Sequence, residues 1–330
     1  MSENNQRFWS KINFFNKNSI APSLLLIYIL MIIVFSSINP LFITVSNFKS
    51  ILSNIGIFGI MSVGLSFVML TGNFDVSVGS ILAISAVVAA KLFNIGGLDI
   101  PIPLIILAGI AVGALIGALN GFMVTVIGIN SVITTLGTLA IFRGLAYLYA
   151  TEPSLINNEV FIKMGRGYIF KIVPMTFVYM LIILVIMYLV LRFTKFGRDV
   201  YQTGSNQSAA RLSGVNVKKT QFFAFVISGI TAGIGGVLMA SQLAFGQGEF
   251  GVGAEFTVLT ICVLGGISLA GGRGTLVSVL VAIFILGSVS NGLALVRVPV
   301  EWRDAFQGII LIAAILIDSI RMRRRELLKA

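Results

Sequence analysis

The chain has 330 residues, of which 57% are hydrophobic and only 11% charged, and its mean hydropathy is +1.01. A soluble domain carries about a quarter charged residues, so this composition excludes a water-coated globule and points to a chain solvated by lipid. Twenty-three Lys and Arg against twelve Asp and Glu leave a net charge of +11, which suits nucleic-acid binding only where basic residues cluster; here they are spread through short loops. Histidine is absent, and with it the commonest metal ligand and general base. The single cysteine, Cys262, lies in an apolar run, cannot form an intrachain disulfide, and reads as a buried structural thiol. The apolar stretches are continuous and lack strict alternation, which argues against a β-barrel.

A helix needs about 20 apolar residues to span a hydrocarbon core of about 30 Å, and the chain offers about ten such runs. The first starts near Ile20 and ends near Asn39-Pro40, after a polar segment 1–19 holding Arg7, Lys11 and Lys17. It is too long for a secretion signal and no small-residue cleavage site follows, so it reads as a retained helix. The second run covers Ile51 to Leu70, the third ends near Phe93, the fourth spans Ile102 to Val126 and the fifth Val132 to Tyr149. After a polar stretch over 151–171 come the sixth (Val173 to Leu191), the seventh (Gln221 to Leu243) and the eighth (Phe256 to Leu269). The ninth (Leu276 to Leu295) and the tenth (Ala305 to Ile320) complete the set, ahead of a basic tail over 321–330. The expected fold is all-α: one polytopic transmembrane bundle over residues 1–330.

Basic residues in short loops set orientation. With a cytoplasmic N-terminus and ten crossings, fifteen of the 23 fall inside, among them Arg192, Lys195, Arg198, Arg211, Lys218, Lys219, Arg273 and the tail cations. Asp99, Glu152, Glu159, Glu249, Glu255, Glu301 and Asp304 fall outside. Both termini are thus expected in the cytoplasm. Five crossings in each half would start in opposite orientations, as inverted repeats do; Leu119-Asn120-Gly121 and Ser290-Asn291-Gly292 are a faint echo.

The polar break Gly72-Asn73-Phe74-Asp75-Val76-Ser77-Val78-Gly79-Ser80 lies between two apolar runs. Gly, Asn, Asp and Ser favour turns over helix, and an ionisable group at membrane depth marks a functional position by default. Asn73, Phe74, Asp75 and Ser77 therefore stand as candidates to line or gate a substrate path, the alternative being a cytoplasmic turn with Asp75 as helix N-cap. Gln242 and Glu249, at the outer end of the seventh run, would contact a polyhydroxylated solute or a docking protein, or be solvated loop residues. Trp302 fits an interfacial anchor, with an ion pair among its charged neighbours.

The longest inside segment, 192–220, is too polar for lipid. Ser205 or Asn206 would cap a short helix over Gln207 to Leu212, and Gly214 would stop it; the segment is either a solvated connector or a docking surface for a cytoplasmic partner. The glycines of Gly265 to Gly274 lack the GxxxxGK[ST] spacing of a phosphate loop. No site for ATP hydrolysis is legible anywhere in the chain.

Four stretches together resemble the membrane-spanning permease of ribose-type sugar ABC transporters: Leu70 to Ser80, Thr134 to Leu139 followed by Arg143-Gly144, Gly197-Arg198 through Ala209 to Val215, and Val263 to Gly266 through Ala270-Gly271-Gly272. Asn73-Phe74 departs from the usual Gly-Ile, and Leu295 to Asp304 is closer to the autoinducer-2 and rhamnose branch. The resemblance implies a permease in the cytoplasmic membrane of a prokaryote, paired with a second copy or a sister chain. Cytoplasmic ATPase subunits would dock on Gly204, Asn206, Ala209, Ala210, Arg211, Leu212, Ser213 and Gly214, using ATP and Mg themselves. An extracytoplasmic binding protein would deliver the sugar, leaving the permease with no cofactor or metal of its own. The absent histidine and unpaired carboxylates count against a membrane-embedded enzyme, and the remaining alternative is a secondary transporter driven by an ion gradient. It would need buried acids along several helices, where this sequence offers Asp75 and Glu255.

Overall fold

The first helix, α1 (Ala21–Ile38), ends in a 3-10 turn at Pro40–Ile43, and α2 (Val45–Leu70) and α3 (Val78–Phe93) follow. Next come α4 (Ile102–Phe122), which closes in a π turn at Met123–Ile127, and α5 (Ser131–Tyr149). The linker between halves holds β1 (Ser154–Leu155), α6 (Glu159–Arg166), β2 (Tyr168–Ile169) and β3 (Val173–Pro174). The second half is α7 (Met175–Phe193), α8 (Lys195–Ser205), α9 (Gln207–Leu212), α10 (Val217–Leu243), β4 (Phe245–Gly246), α11 (Ala254–Leu264), α12 (Leu276–Leu295) and α13 (Val300–Leu327). These elements come from a computed structural model that describes residues 21–95 and 99–327. The expected cytoplasmic segment 1–19 and the last tail residues, 328–330, lie outside them.

The all-α transmembrane bundle expected from composition is what the chain forms. Helices α1, α2, α4 with its π turn, α5, α7, α10 and α12 are each long and apolar enough to cross a membrane. Two of the ten runs give shorter helices. α3 has 16 residues because the chain stays non-helical from Thr71 to Ser77. α11 has 11 residues, roughly 17 Å at 1.5 Å per residue, so the eighth run is not one continuous crossing to Leu269. It breaks at Gly265-Gly266, where Gly266 takes φ +79°, a conformation open to glycine at little cost. α2 starts six residues earlier than its apolar run, since Thr44 caps it by accepting from the Asn47 N–H. α13 runs on to Leu327, so the start of the tail is helical.

α2 and α10 form the buried centre of the bundle, whereas α1 turns most of its side chains outward. α4 lies against α10 so closely that a Cβ on Gly113 would strike the Gly229 carbonyl oxygen, and one on Gly229 the Gly113 carbonyl. Small residues permit such helix approach where lipid offers no hydrophobic drive. Exposed Leu26, Leu115, Ile133, Ile186 and Ile312 face outward from α1, α4, α5, α7 and α13, the distribution expected when the surrounding solvent is as apolar as the core.

Packing partners exchange between the halves. α4 packs on α10 and α12 on α2; α3 packs on α10 and α11 on α2; α3 meets α4 and α5 as α11 meets α12 and α13. A two-fold relation between crossings two to five and seven to ten has this pattern. The outer helices break it, since α7 packs on α2 and α1 on α12.

Candidate functional site

The break between α2 and α3 is held from inside the protein. Asp75 is 3% exposed. Its Oδ1 accepts from the Ser77 N–H at 3.1 Å and the Ser77 hydroxyl at 2.5 Å, and its Oδ2 from the Ser228 hydroxyl of α10 at 2.8 Å. Asn120 of α4 donates from Nδ2 to the Ser77 oxygen at 2.9 Å. The backbone N–H groups of Phe74 and Val76 donate to Ser131 and Thr135 of α5. Asn73 is buried and donates to Thr71, and Phe74 is half-buried against the core. One short non-helical segment is thereby tied to α4, α5 and α10, which satisfies backbone groups that cannot be left bare at membrane depth. Asp75 does not cap α3: the N-cap is Ser77, in helical conformation and without a side-chain cap bond.

Gln242 and Glu249 stand apart from this cluster. Gln242 donates to the Ser53 hydroxyl of α2 at 3.0 Å, and its backbone carbonyl accepts from Arg166. Glu249 is exposed and accepts from Gln247. Beside it, Arg143 of α5 staples the glycine-rich loop over 246–253, donating to the carbonyls of Gly248, Phe250 and Gly251 at 2.6–3.0 Å. Around Trp302, which is exposed, the ion pair anticipated from sequence does not form: among the described residues the one salt bridge joins Lys163 to Glu159. Cys262 is fully buried, its thiol donating to the Ser62 carbonyl.

At the other end of α10 the polar segment folds into two helices. Sequence placed α9 correctly: Asn206 caps it by accepting from the Ala209 N–H at 2.9 Å, and Gly214 ends it at φ +82°. Buried Ala210 packs on Val215 and Val217 and anchors α9 to the start of α10, while Arg211, Leu212 and Ser213 are exposed, Leu212 to 91%. α8 was missed by sequence, because its two glycines and mixed polarity hide a helix. It is seated by Gly204, where a Cβ would meet the Leu70 carbonyl and the Gly272 N–H, and by the Tyr201 hydroxyl, which donates to the Gly274 carbonyl at 3.0 Å. Burial pushes the Tyr201 hydroxyl pKa up to about 12.

Sequence also missed a cavity of about 300 Å³ among α2, α11, α12 and α13. Asn54, Thr257, Ser290, Asn291, Arg303 and Gln307 supply its polar atoms, with Phe58, Ile261 and Leu286 in the apolar wall. The available signal was a set of isolated polar residues inside apolar runs; Asn291 drew notice only as a repeat echo. Among the described residues, no cluster of three or more metal-ligating side chains occurs.

A buried, hydrogen-bonded helix break beside an exposed helix pair, within a bundle whose outer face is apolar, fits a membrane transport subunit. The family described as the permease component of the branched-chain amino acid transport system matches residues 47–315. The chain belongs to that family, with the ribose-type sugar ABC transporter permeases. It is 32% identical to the ribose import permease of Haemophilus influenzae, covering 88% of this chain and 90% of that protein. It is 33% identical to an L-arabinose ABC transporter permease of Azospirillum brasilense (93% and 89% covered). With the autoinducer 2 import system permease of Photorhabdus luminescens the identity is 36% (79% and 78% covered). No solved structure gives a significant match.

Proposed function

We propose that this chain is the membrane-spanning subunit of an ABC importer that carries a monosaccharide across the cytoplasmic membrane, with both termini in the cytoplasm. Separate ATPase subunits bind and hydrolyse ATP with Mg, and this subunit carries no nucleotide site. A binding protein delivers sugar at the end opposite α9, and a second permease copy or a sister chain completes the path. The relatives include pentose and autoinducer-2 permeases, which supports a cargo of that size and polarity.

The observation that carries this reading is α9. A leucine 91% exposed beside an exposed arginine, on a helix capped at one end and anchored by Ala210, is a firm protrusion rather than a slack connector. Burying such a leucine in a partner groove contributes about 1.5–3 kcal/mol, and Arg211 adds a charge suited to a carboxylate in that groove. Through Gly204 and Tyr201, a push on α9 and α8 reaches the end of α2 and the 270–274 loop without slack. Leu212→Asp, or Arg211→Glu, should abolish co-purification of the ATPase subunits while the permease stays folded in the membrane. Normal assembly and uptake by both variants would remove α9 from the coupling role.

A further inference from the structure

The two halves of the bundle treat equivalent ground differently. In the first, Asn120 on α4 donates its amide to Ser77 at the break before α3, where Ser77, Asp75 and Ser228 bond one another, although Asn120 Oδ1 is buried without a partner among the described residues. In the second, Asn291 on α12 sits in the matching Asn-Gly pair, beside α11 as Asn120 is beside α3. Instead of that network there is the cavity, and two groups in it are left over. Asn291 Oδ1 and Arg303 Nε are buried and have no hydrogen-bond partner among the described residues. A buried polar atom without a partner costs free energy unless water or a ligand satisfies it, and polar residues grouped at membrane depth line wet space.

The leftover pair is one acceptor and one donor. A carboxylate or phosphate offers only acceptors and an ammonium only donors, whereas a hydroxyl is both. Gln307, on the same face of α13 as Arg303, donates to Thr257 at 2.7 Å, and this fixes the side of the cavity next to the open pair. The volume of about 300 Å³ is at the small end of ligand pockets, and Phe58 with Leu286 provides an apolar wall for the carbon face of a ring. We infer that this cavity is a transit site for a neutral monosaccharide, in which a pair of adjacent sugar hydroxyls donates to Asn291 Oδ1 and accepts from Arg303 Nε. It lies toward the end of α12 remote from Gly272 and α8, where an arriving sugar is received. The inference rests on the importer reading and adds to it the residues that hold the sugar.

The test uses the complete importer in proteoliposomes, with binding protein and ATP in excess and radiolabelled D-ribose, L-arabinose and L-rhamnose as probes. Asn291→Leu and Arg303→Met should each cut saturated uptake about tenfold or more, the effect of stranding a buried hydroxyl, while ATPase subunits still assemble and hydrolyse ATP. Each variant should also lose the wild-type preference for the sugar over its deoxy analogue. Uptake at the wild-type rate by both variants overturns the cavity assignment and leaves the importer reading standing. Uptake of a probe that does not require ATP overturns the importer reading as well. Should Asn291→Leu fail to assemble, Ser290→Cys carries the test, being nearly isosteric: the transported sugar should slow its alkylation by a maleimide severalfold, and unslowed alkylation overturns the assignment.

Discussion

At Asp75 three hydrogen bonds take the place of the water its side chain would otherwise hold, and two of them come from Ser77, the N-cap of α3. The third, from Ser228, crosses to α10. A hydrogen bond contributes about 0.5–1.5 kcal/mol, though polar contacts between membrane helices average nearer about 0.6 kcal/mol. Ser228→Ala should therefore lower thermal stability in detergent modestly, and Asp75→Ala more, because the latter strands three donors. The double variant should be no less stable than Asp75→Ala alone, since the shared bond is already gone. Additive losses in a melting series would mean that the two residues act separately. The sequence marks Asp75 as an acid expected at or inside the membrane boundary but not what it touches, because Ser228 is a polar residue in an apolar run 153 positions away and periodicity carries no pairing information.

Among the elements, α9 was legible and α8 was not. Asn206, the helix-forming Gln207 to Leu212 and Gly214 form a local start and stop, and local signals survive folding when a segment is exposed. α8 depends instead on a tertiary fit: Gly204 and Tyr201 close it onto the end of α2 and the loop before α12. Likewise the apolar run from Phe256 reads as a crossing that continues to Leu269, yet two glycines end α11 at Leu264, because turn geometry outweighs hydropathy there. The coupling role assigned to α8 predicts that Gly204→Val, which would force α8 off the Leu70 carbonyl, leaves ATPase subunits bound but uptake per ATP hydrolysed sharply reduced. Measuring uptake and hydrolysis in the same vesicles checks this, and an unchanged ratio would make α8 a passive spacer.

Across the whole molecule, composition alone established the class: a chain 11% charged cannot coat itself for water, and ten apolar runs became helices in the order read. What composition could not give is how the halves interlock. With the exchange of partners between them, α4 on α10 and α12 on α2, one half holds a buried polar cluster around Asp75 and the other a cavity. On the proposed function the chain is a conduit without an engine, powered through α9 by separate subunits that hydrolyse ATP. The most direct measurement is solute accumulation in proteoliposomes with no ion gradient, comparing this subunit alone with the subunit joined by its ATPase and binding protein. Accumulation should require the full set and ATP; accumulation by the lone subunit, or dependence on a proton or sodium gradient instead of ATP, would contradict it.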